Sequence, residues 1–194
     1  MLKKLLIMMI LISFNMLASD FGASYFNDGV IEYKNENYAK AIKLYEQASK
    51  RGNIDAMFNL GVIYSNGVIE KDYEKAFYWF EKAVNKGDKK AIYNLGVMYD
   101  NGLGVKVDKK KAIELYEKSA NYGNAIAIYN LGSKYYLGDG VSKNIKKAFD
   151  LYEKSANLGV QEAMYNLSLM YKNGDGVQKD EKKSKYWLDK SKEN

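Results

Sequence analysis

Residues 124–159 read N-A-I-A-I-Y-N-L-G-S-K-Y-Y-L-G-D-G-V-S-K-N-I-K-K-A-F-D-L-Y-E-K-S-A-N-L-G, and this stretch decides the fold. Residues 88–123 repeat it at the same length of 36. The two copies share Ala91/Ala127, Leu95-Gly96/Leu131-Gly132, Tyr99/Tyr135, Gly102/Gly138, Gly104/Gly140, Ala112/Ala148, Tyr116/Tyr152, Ala120/Ala156 and Gly123/Gly159. A fixed period of this length marks a chain built by stacking one small structural unit.

Within the copy, Ala127, Leu131 and Tyr135 recur every four residues with Ile128 and Gly132 beside them, the spacing of a helical stripe and not of a strand. Gly132, like Gly61 and Gly96, costs about 1 kcal/mol of helix propensity relative to Ala, so its recurrence points to close approach of a partner helix. Gly138 and Gly140 then suit a helix end that needs positive φ. A second stripe follows, Ala148, Leu151, Tyr152 and Ser155-Ala156, led by Asn144 as N-cap. The equivalent caps are Asn37, Asp72, Asp108 and Asp180. The second helix closes at Gly159, like Gly52, Gly87 and Gly123, and Asn53, Asp88 and Asn124 restart the next pair. One antiparallel pair cannot bury both of its stripes, whereas stacked pairs share a continuous core. The expected fold is therefore all-α, an α/α superhelical solenoid with a concave side.

The pattern A-x-x-x-L-G-x-x-Y-x-x-G-x-G-V-x-x-[DN]-x-x-K-A-x-x-[LW]-[YF]-x-x-[AS]-A-x-x-G, carried by residues 53–194, resembles the Sel-one-like repeat, a relative of the tetratricopeptide repeat with a longer glycine-containing loop. The resemblance implies a right-handed superhelix acting as a protein-interaction adaptor. It does not name the partner.

Taken in order, residues 1–19 differ from the rest. Lys3 and Lys4 precede an apolar run from Leu5 to Phe14, and small residues follow at Ala18 and Ser19, the order of a secretory signal peptide. Cleavage is expected after Ala18 or Ser19, with the product periplasmic or secreted. The run falls short of the roughly 20 residues needed to span a bilayer, so no stable membrane span is expected. Its removal leaves 28 basic and 24 acidic residues, lowering the net charge from +6 to +4. Residues 20–52 resemble an ordinary tetratricopeptide pair with a short turn and form the N-terminal cap. Repeats follow at 53–87, where Gly104 has no counterpart, then at 88–123, 124–159 and 160–194. In the last copy Ser168 replaces the Gly and Ser184 the Ala. Both changes read as a surface with no successor to pack against, the polar end a solenoid needs.

With no His and no Cys among 194 residues, the chain lacks His- or Cys-based nucleophilic arrangements, nitrogen- or sulfur-ligated zinc and disulfides. No catalytic residue, metal or cofactor is expected. Some secreted relatives are cysteine-rich and associated with penicillin binding and β-lactamase activity. That resemblance makes a β-lactamase-like hydrolase one alternative, although no Ser here has Lys three residues later. Asp139 and Asp175 lie in G-D-G turns, and Lys109-Lys110-Lys111 reads as a solvated helix start. No nucleic-acid partner is expected, because Arg51 is the single Arg among 30 basic residues and the guanidinium fork is the usual choice for phosphate. Contact with an anionic envelope surface is consistent with the mild positive charge.

The candidate ligand-binding positions are Asn59, Asn94, Asn130 and Asn166, each preceded by an aromatic, Phe58, Tyr93, Tyr129 and Tyr165. On a helical wheel the Asn lies about 100° and the ring about 160° from the core Leu, which turns both away from the second helix. In the related solenoids the first helix lines the concave groove, so the resemblance implies that both face it. An amide donates and accepts at once, matching the backbone of an extended peptide, and rings add apolar area. The structural alternative is that the rings pack between successive first helices and each Asn bonds a neighbouring carbonyl. Binding of a protein or extended peptide is the leading expectation, with envelope glycan on the Tyr/Asn face as another.

Overall fold

The computed structural model describes residues 21–193, so the signal-peptide expectation for residues 1–19 lies outside the described residues. Among these there are ten helices and no strand. Two compact units divide the described residues, one ending at Ala91 and the other beginning at Ile92. In the first unit, α1 (21–34), α2 (Tyr38–Lys50), α3 (Ile54–Asn66) and α4 (Tyr73–Asn85) are joined by short turns. α5 (Lys90–Asn101) is followed in the second unit by α6 (Lys109–Asn121), α7 (Ala125–Leu137), α8 (Ile145–Asn157), α9 (Gln161–Asn173) and α10 (Glu181–Lys190). α3 packs on α4, α7 on α8 and α9 on α10 within pairs. Between pairs, α2 meets α3, α6 meets α7 and α8 meets α9.

The helices start where the caps predict. Asp72, Asp108, Asn144 and Asp180 accept from the backbone N–H three residues on, and Asn53, Asp88 and Asn124 do the same for the first helices. Each such cap is worth about 1 kcal/mol. Asn37 is the exception. Its amide donates instead to Glu32 at 2.8 Å, and it makes no side-chain cap. The turn before α2 is tight enough to bring Glu32 alongside, with Glu36 at φ 62°.

A second tie fixes each pair. The backbone N–H of Asp72, Asp108, Asn144 and Asp180 donates to the carbonyl of Tyr64, Tyr99, Tyr135 and Tyr171, closing the loop. Three residues after the cap a lysine lies over that tyrosine ring, Lys75 on Tyr64 at 5.2 Å, Lys147 on Tyr135 at 3.9 Å and Lys183 on Tyr171 at 5.2 Å. In the first pair the same register places Lys40 on Glu32 at 2.6 Å. Exposed contacts of this kind contribute roughly 0.5–1 kcal/mol each.

The helical glycines do what their recurrence suggests. A Cβ on Gly61 would lie 2.6 Å from the Phe80 ring, and one on Gly132 2.8 Å from the Tyr152 ring. Forcing a methyl into such a contact costs about 1–3 kcal/mol, more than the roughly 1 kcal/mol of propensity that Gly gives up. In the last pair the pattern changes differently from expectation. Ser168 and Ser184 are buried and lie 3.3 Å apart, hydroxyl to hydroxyl, between α9 and α10. The substitutions form a satisfied polar pair inside the repeat and are not a surface facing a missing successor. The aromatic that leans on Gly in other pairs is replaced at that register by Leu188, which leaves room for a Ser side chain.

Candidate interaction surface

The four asparagines sit one residue before the core Leu of α3, α5, α7 and α9, half-buried in every case. Where their bonds are resolved, they join successive pairs. Asn130 donates to the Tyr93 hydroxyl at 3.4 Å. Asn59 lies beside Tyr45 and Asn166 beside Tyr152, each with the core tyrosine of the preceding second helix in one cleft, while the Tyr152 hydroxyl itself donates to Ser133 at 3.0 Å. Burial holds the Tyr45, Tyr93 and Tyr152 hydroxyls above the ordinary phenol value, and the Asn amides act in the opposite direction. The bond resolved for Asn130 thus goes to a side-chain hydroxyl of the preceding pair and not to a backbone carbonyl.

The rings do not turn away from the second helix as the wheel suggests. Phe58 stands 5.9 Å from Phe80, Tyr93 6.0 Å from Tyr116 and Tyr129 5.7 Å from Tyr152, all within one repeat. The cause is the glycine three residues on, Gly61, Gly96 or Gly132. Its missing side chain lets the ring of the second helix lean across the first. Tyr165, whose repeat carries Ser168, remains exposed.

Between pairs, two clefts of about 130 Å³ are built on the same register. In the first unit the lining is Tyr33, Tyr45, Asn59, Val62 and Ile63. In the second it is Tyr136, Tyr152, Asn166, Leu169, Met170 and Asp175. Tyr33 and Tyr136 both stand four residues after the helical Gly, and Val62-Ile63 and Leu169-Met170 both lie one turn beyond the Asn. Each cleft combines two phenols, an amide and an apolar floor, with room for a few waters or one side chain. A shallower cleft brings Tyr129, Tyr165 and Asn166 together with Glu162, Leu188 and Lys192.

At the same register, the interface of α5–α6 with α7 is filled. Asp100 replaces the tyrosine and Ser133-Lys134 replace the apolar pair. Lys134 Nζ lies 2.5 Å from Asp100 and 2.6 Å from Asp139, Lys109 Nζ lies 2.7 Å from Asp100 and 3.3 Å from Asp139, and the Tyr116 hydroxyl donates to Asp100 at 3.3 Å. Lys134 and Asp100 keep 11% of their side-chain surface exposed. Burial raises the Asp100 carboxyl, but hydrogen bonds and charge from Lys109 and Lys134 outweigh it and hold the group below the usual carboxylate value. Asp139 is lowered chiefly by Lys134, and Lys109 is raised chiefly by Asp100. Lys109 and Asp139 are therefore members of a four-charge network, and neither is explained as a solvated helix start or a turn residue alone.

Among the described residues no group of three or more Asp or Glu is placed to hold a metal ion, and no helix is long and apolar enough to cross a membrane. Helices packed in pairs, joined through glycine-containing loops and stacked pair on pair, define an α-solenoid of the repeat class that typically binds proteins. The Sel1 repeat model matches residues 17–53, 54–88, 89–124, 125–160 and 161–194, and the chain belongs to the Sel1 repeat family. It is similar to c5321, a protective antigen present in uropathogenic Escherichia coli strains displaying an SLR fold, at 32% identity and TM-score 0.81 over 88% of this chain. It spans only 38% of that antigen. A Sel1 repeat protein from Oxalobacter formigenes is 31% identical with TM-score 0.74, covering 90% of this chain and 72% of that one. Helicobacter pylori cysteine rich protein B is 30% identical with TM-score 0.50, covering 64% of this chain and 90% of its own length. No curated protein matches the chain.

Proposed function

We propose that this protein is a non-catalytic, exported adaptor that binds an extended segment of another protein, with apolar side chains of that segment entering the clefts beside Asn59 and Asn166. The observation that carries this reading is the recurrence of one lining, two tyrosines, an asparagine and two apolar residues, at equivalent positions of both units. The phenols and the amide offer donors and acceptors at the mouth, and the apolar floor supplies binding area. Export rests on the n-, h- and c-region order of residues 1–19.

The test is crosslinking and pull-down from the cell envelope with wild type beside Val62→Glu and Leu169→Glu, two partly exposed positions whose change leaves the tyrosines and asparagines in place. Specific capture by wild type, lost in both variants at unchanged thermal stability, supports the reading. Equal capture by all three overturns it. N-terminal sequencing of the exported protein checks the cleavage after Ala18 or Ser19.

A further inference from the structure

The charge of the second unit is gathered on one edge. The loops and first helical turns at 102–111, 137–147 and 173–185 together carry eleven lysines against five acidic residues, while the rest of 92–193 carries six against eight. These segments are contiguous in space. A Cβ on Gly140 would lie 2.6 Å from the Lys109 Cβ, and one on Gly176 2.8 Å from the Ile145 carbonyl, so each loop rests on the start of the second helix before it.

Many of these lysines run against the helix dipole. They crowd the N-terminal turns of α6, α8 and α10, where the helix dipole favours negative charge, and neither α6 nor α8 has an acidic residue in its first turn. Several are answered locally: Lys109 by Asp100 and Asp139, Lys111 by Glu114, Lys146 by Asp150 and Lys179 by Glu181, while Lys143, Lys147 and Lys183 lie over the rings of Tyr136, Tyr135 and Tyr171. Lys106, Lys110, Lys143 and Lys182 are exposed along the same edge. Two apolar side chains project there as well, Leu137 at 69% exposed and Val107 at 49%. Leu137 stands where other repeats have Asn66, Asn101 and Asn173, and Val107 where they have Lys143 and Lys179. Both departures place apolar tips among lysines.

We propose that this edge of the second unit docks on an anionic lipid surface, with the lysines over the headgroups and Leu137 and Val107 entering the interface. Lysine favours this occupant over one recognised through bidentate phosphate contacts, because an ammonium is a point charge suited to a diffuse negative surface and the unit has no arginine. The apolar tips among the lysines match a lipid interface, where apolar side chains enter beneath headgroups that the basic ones contact.

The test is co-sedimentation of the exported protein, without the apolar segment before Ala18–Ser19, with phosphatidylglycerol-containing vesicles and with pure phosphatidylcholine vesicles at low and raised salt. It uses two variants of exposed residues. One carries Lys106→Gln, Lys110→Gln, Lys143→Gln and Lys182→Gln. The other carries Leu137→Asn and Val107→Gln, matching the polar character other repeats have there. Wild type is expected to partition onto anionic vesicles and to be released by salt, with each lysine removed lowering partition about fivefold. The Leu137/Val107 variant is expected to bind several-fold more weakly. Equal binding of the four-lysine variant, equal binding to neutral vesicles, or no effect of the Leu137/Val107 change would each overturn the proposal. Retention on soluble polyglutamate without vesicle partition would likewise overturn it and assign the edge to an acidic protein.

Discussion

Lys134 of α7 reaches back to Asp100 of α5 at 2.5 Å, at the register where Met170 and Tyr136 border an open cleft one repeat later. A buried ion pair loses much of its attraction to desolvation, and removing one partner is more damaging than replacing both. Lys134→Met alone is expected to destabilise the protein by about 2–4 kcal/mol, with Lys109 still holding Asp100. Asp100→Tyr with Lys134→Met installs the residues of the later interface and is expected to cost less than the single change. Urea denaturation of both singles and the double gives the coupling energy.

The same network sets an acid limit. Asp100 and Asp139 have folded-state values below the ordinary carboxylate value of 3.8, so their contribution is fully present above that value and is lost as pH falls through it toward the folded values. Urea midpoints measured from neutral pH downward are expected to fall below about pH 4. An Asp100→Asn, Asp139→Asn variant, less stable at neutral pH, is expected to show a shallower acid limb.

The Tyr–Asn bond between pairs is predicted to be modest. Asn130→Ala should cost about 1 kcal/mol, as should Tyr93→Phe, and the double variant should cost clearly less than the two together. Additive losses measured by thermal and urea unfolding would show that this bond does not couple the pairs.

Gly132→Ala raises helix propensity yet is expected to destabilise by about 1–3 kcal/mol, because the new methyl meets the Tyr152 ring. Tyr152→Leu copies the residue at the register of Leu188, where a Ser replaces the Gly. The combined Gly132→Ala, Tyr152→Leu variant is expected to be more stable than Tyr152→Leu alone. Equilibrium unfolding of the set decides it.

The helix pairs, most caps and the close contact at Gly61, Gly96 and Gly132 were legible from period and residue type, since these depend on local geometry repeated every turn. The direction of Phe58, Tyr93 and Tyr129 was not. A helical wheel treats each helix as a uniform cylinder, and the glycine three residues on removes part of that cylinder and admits the neighbour's ring. The hydroxyl partner of Asn130 depends on how successive pairs dock, which spacing within one repeat does not encode. A signal for the charge network was present, because Asp100 and Lys134 break a register held by Tyr136 and Met170. Comparing repeats for their differences, and not only for their agreement, would have exposed it.

Near-identical repeats carry a hazard, because the face of one pair is a plausible mate for several others during folding. The Asp100–Lys134 pair sets one junction apart. Docked one repeat out of place, Lys134 would be sealed against a tyrosine or an apolar floor with no carboxylate to receive it, at a cost no correctly ordered chain bears. The network marks the junction of α5–α6 with α7 by residues that the clefts beside Asn59 and Asn166 do not share, and so acts as an address that distinguishes this junction from those two.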